Sequence, residues 1–91
     1  MENKIIIEKI NLNKRITGYN YLISLNEKEV KELTTLNKML QDQVTKGVSI
    51  ERTRIFIEII RNDRKIFELQ ADTESKKEYI HILKKQIELT K

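Results

Sequence analysis

The residues that carry chemistry in this chain are few and scattered. There is one histidine, His81, and no cysteine. His81 has Lys77, Lys84, Lys85 and Glu88 around it on a helical projection and no second imidazole, so it lacks the companion that a metal site or a general base requires. The carboxylates alternate with lysines at helical spacing, as in Glu27–Lys31 and Glu74–Lys77. Such pairs support a helix surface by about 0.2–0.5 kcal/mol each. No zinc spacing, phosphate-binding glycine loop, dinucleotide fingerprint or calcium loop occurs. Without a nucleophile, base and oxyanion donor that could converge, the chain reads as a non-enzyme with no catalytic residues, no cofactor, no metal and no small-molecule substrate.

Two charged residues stand out because they interrupt an apolar stripe. Between 49 and 71, Ile55, Phe56, Ile59, Ile60, Ile66, Phe67 and Ala71 cover an arc of about 160° at 100° per residue. Arg52, Asp63 and Gln70 project from the middle of that arc. Arg52 and Asp63 lie roughly 16 Å apart along a helix, too far to pair with each other. A carboxylate in such a stripe is costly unless partnered. Asp63 therefore either reaches solvent beside Arg61 or Arg64 or fixes register by a cross-helix contact.

The elements that carry these residues follow from apolar spacing and caps. Asn26 and Glu29 form a capping box, flanked by Leu25 and Val30 at the staple positions. Val30, Leu33, Leu36, Leu40 and Val44 form a stripe, and Gly47 suits a C-terminal cap. This predicts a helix over 26–46. Ser49 is the expected N-cap of a second helix over 49–71. Ser75 and Glu78 form another capping box within the polar run 72–78, which predicts a break near 72–75 and a third helix over 76–90. Tyr79, Ile80, Leu83 and Ile87 line one side of that third helix. On an unbroken straight helix this side would point roughly 150° away from the Phe56 side.

Residues 1–25 fit two readings. Tyr19, Tyr21, Ile23 and Leu25 alternate as a strand would, giving a hairpin of 4–12 with 19–25. Ile5, Leu12, Ile16, Tyr19 and Ile23 also share one side of a helix. The helical reading is preferred because the rest of the chain is helical. The expectation is a single mainly α domain over 1–91. It is a small bundle of three to four amphipathic helices, completed by dimerisation.

Composition bounds the remainder. The 91 residues are 38% hydrophobic and 35% charged, with no proline and no tryptophan. A chain of this size buries only about 60–65% of its unfolded surface, so association is an economical way to complete the core. No internal repeat and no low-complexity linker is apparent. No apolar run approaches a membrane span, and the N-terminus lacks the pattern of a signal peptide, so a cytoplasmic location is expected. The net charge of +4 is spread along the chain, which permits an acidic partner without specifying one.

Residues 36–60, Leu-Asn-Lys-Met-Leu-Gln-Asp-Gln-Val-Thr-Lys-Gly-Val-Ser-Ile-Glu-Arg-Thr-Arg-Ile-Phe-Ile-Glu-Ile-Ile, hold a helix, a short turn and a basic helix start. This segment resembles the turn of DNA-binding helix-turn-helix proteins. That resemblance implies nucleic-acid contact by Ser49, Glu51, Arg52 and Arg54. Asp42, Lys46 and Thr53 stand where that family places apolar residues. A ribbon-helix-helix reading would instead pair strand Tyr19–Leu25 with its twin in a dimer, with Asn20, Leu22 and Ser24 towards the groove. The plain alternative is an ordinary cap-to-cap turn between two antiparallel helices.

The leading functional expectation is a helical module acting through protein–protein contact, as an adaptor, chaperone or inhibitor does, and self-associating. Its expected partner residues are Phe56, Ile59, Asp63, Phe67, Tyr79 and Ile80. The second is a small dimeric DNA-binding regulator using 36–60.

Overall fold

The computed structural model describes residues 2–46 and 49–90. It contains two long helices, α1 (Glu2–Val44) and α2 (Ser49–Leu89), and no strand among the described residues. The three-to-four-helix bundle expected from the sequence is not formed. The β-hairpin option for 1–25 is not realised either, because that segment is the first half of α1. No break occurs near 26 or near 72–75. Gly47 and Val48 lie outside the described residues.

Side-chain burial shows why two helices suffice. On α1 the buried and half-buried positions are 5, 9, 12, 16, 19, 23, 26, 30, 33, 37, 40 and 44. On α2 they are 55, 59, 62, 66, 69, 73, 76, 80, 83 and 87. Both series alternate steps of four and three without a fault. Every other helical residue whose burial is described is exposed. This is the heptad of a coiled-coil seam, in which a supercoil of 3.5 residues per turn keeps one stripe on its partner. The chain thus carries a repeat, contrary to the expectation from the sequence. Asn26, Asn37, Asn62, Thr73 and Lys76 occupy seam positions, which hides the repeat from a search for apolar residues alone.

The helices run antiparallel. Asn26 bonds to Thr73, and eleven residues further along α1, Asn37 bonds to Asn62, eleven residues earlier on α2. The result is a hairpin of 71 × 14 × 13 Å. The seam is apolar at the open end, where Ile16, Ile23, Ile80 and Leu83 are buried together with Leu12, Tyr19 and Ile87 against them. Leu36, expected in the α1 stripe, turns outward, and Asn37 takes the seam position instead.

Residues poor in helix propensity are held by local bonds. The hydroxyls of Thr17, Thr34 and Thr35 donate to the carbonyls of Asn13, Val30 and Lys31, one turn back. Gly18 sits mid-helix with nothing within 4 Å of where a Cβ would stand.

Candidate interaction surface

Two polar layers cross the seam. In the first, the Asn26 Nδ2 donates to Asp72 Oδ2 at 2.8 Å and to Thr73 Oγ1 at 3.3 Å. The Lys76 ammonium donates to the same Asp72 oxygen. The hydrogen bond from Lys76, followed by that from Asn26, holds the Asp72 carboxyl below its ordinary value. In the second layer, Asn62 Nδ2 donates to Asn37 Oδ1 and Asn37 Nδ2 donates to Asp63 Oδ1, both at 2.8 Å. Among the described residues, no buried side-chain polar atom lacks a partner. The expected N-cap Asn26 is therefore a mid-helix residue spent on a cross-helix layer. Thr73, inside the supposed break, is buried against it.

The apolar surface left outside the seam is large for so small a chain. On α1, Ile6, Ile7, Ile10 and Tyr21 are exposed in its first half, and Leu22, Leu25, Leu36 and Met39 fall on a second stripe of alternating four-three steps that also holds Gly18, Glu29 and Glu32. Leu22, Leu25, Leu36 and Met39 are 43%, 45%, 38% and 57% exposed. Helical rotation places this stripe on the same broad face as Tyr79, Ile82 and Leu89 of α2, all exposed. The Tyr79 ring stacks on Tyr19 with centroids 5.8 Å apart and planes 9° apart, which anchors the middle of that face. On the opposite broad face, Phe56, Ile60 and Phe67 of α2 are exposed, Phe67 by 71%.

The residues expected to bind a partner thus divide into two groups. Phe56, Phe67 and Tyr79 stand on the surface, whereas Ile59 and Ile80 are buried in the intramolecular seam. Asp63 is exposed and takes its cross-helix bond from Asn37. The sequence reading did not single out Leu22, Leu25, Leu36 and Met39 as a separate face. Their four-three spacing was the available signal.

The residues considered for nucleic acid lie near the turn of the hairpin. Arg52 and Arg54 are exposed on the first turns of α2, which begins at Ser49. The segment 36–60 is the tip of two antiparallel helices, whereas the helix-turn-helix motif crosses its helices at about 90–120°. Tyr19–Leu25 is helical, so it offers no ribbon. His81 is exposed beside a shallow, open depression that it lines with Glu74, Lys77, Glu78 and Ile82. Among the described residues, no group of three or more His, Cys, Asp or Glu side chains could hold a metal ion. No helix among them is long and apolar enough to cross a membrane.

No family model matches this chain, and comparisons with curated proteins and with solved structures return no match.

Proposed function

We propose that this chain is a non-enzymatic helical binding module whose partners are other helices, a second copy of itself among them. The observation that supports this reading is the heptad-spaced apolar stripe of α1 outside its own seam. A single hairpin covers one stripe per helix. Leu22, Leu25, Leu36 and Met39 repeat at the spacing a further helix would fill. Phe56, Ile60 and Phe67 supply a second apolar patch on the other face, with the aromatic anchors that tend to dominate interface energetics. Among the described residues of 36–60, the two helices lie antiparallel and not crossed as in the groove-reading alternative.

Size-exclusion chromatography with light scattering at low micromolar concentration tests the self-association. The expected mass is a multiple of the 10.9 kDa chain. A monomer at every concentration, with no dye binding to the exposed stripes, would overturn the reading.

A further inference from the structure

We draw no further inference here: the strongest candidate, the exposed apolar patch of Leu22, Leu25, Tyr79 and Ile82 beside Gly18 on one broad face of the hairpin, carries nothing beyond the helix contact already proposed, because nothing in the structure shows what covers it.

Discussion

From Leu12 to Ile23, α1 meets α2 through an uninterrupted apolar cluster that includes Ile80, Leu83 and Ile87. From Asn26 to Asn37 the same seam is crossed twice by amides bonded to Thr73, Asp72, Asn62 and Asp63. The two regions have the same backbone geometry and do different work. The apolar end supplies binding energy but specifies register less, since Leu12, Ile16, Tyr19 and Ile23 meet Ile80, Leu83 and Ile87 through non-directional apolar contact. The polar region fixes it. A slip by seven sets Asn26 against Ile66 or Ile80, and Asn37 against Ile55 or Leu69, so both layers lose their partners at once. Each orphaned buried group costs about 1–3 kcal/mol. Stability and register are thus held by different stretches of one interface.

Substitutions can separate the two roles. The largest effect is expected at the apolar end. Leu83 is the least exposed side chain of the buried core at 4%, and Leu83→Ala should lower stability by about 2–5 kcal/mol in urea unfolding followed by circular dichroism. Ile57→Ala, 46% exposed and outside both the seam and the two proposed contact patches, should stay within about 0.5 kcal/mol of the parent under the same measurement. In the polar region, Asn37→Ala should cost about 1–3 kcal/mol, because Asn62 loses its acceptor. Replacing both, Asn37→Leu with Asn62→Leu, should recover or exceed the parent stability while loosening register. Extra amide peaks in a nitrogen–proton correlation spectrum would report that loss, and a single sharp set would break the division of labour.

Smaller effects sharpen the picture. Gly18→Ala should raise the stability of the hairpin by about 0.5–1 kcal/mol, since the site is helical and open. A destabilisation would mean that the backbone there needs glycine for another reason. Asp72 should give the smallest signal. Its carboxyl titrates below the ordinary value of 3.8 in the folded chain. The stabilisation from its bonds is complete above that ordinary value and is lost as pH falls through the lowered one. Asp72→Asn should flatten this acid limb in a pH series of thermal melts.

The helical character of the chain was legible from residue types, whereas its two-helix architecture was not, for two reasons. The helicity of 26–44 and of most of α2 followed from apolar spacing. The wide arc of α2 divides into Ile55, Ile59 and Ile66 facing α1 and Phe56, Ile60 and Phe67 facing outward. The false breaks came from Asn26–Glu29 and Ser75–Glu78, residue types that cap helices equally well when no tertiary partner competes for them. Asn26 has such a partner on α2, and no local rule can see it. The apparent reversal of face between Phe56 and Tyr79 came from straight-helix geometry. A straight helix drifts about 20° per heptad from a 3.5-residue repeat, whereas supercoiling keeps Ile59 and Ile80 on one seam. The candidate surface was partly legible: Phe56, Phe67 and Tyr79 were named, but the α1 stripe was hidden among its charged neighbours.

A rod 14 × 13 Å in section has no inside, and no large side chain among the described residues lies below 2% exposure. Such a molecule is stabilised along its length and not around a centre. Each cross-helix layer touches only the layers beside it, so opening can begin at an extremity and travel inward as a zipper does. Amide exchange should then form a gradient along the axis, slowest near Ile23 and Ile80 and faster towards both extremities, in place of a protected kernel with a mobile rind.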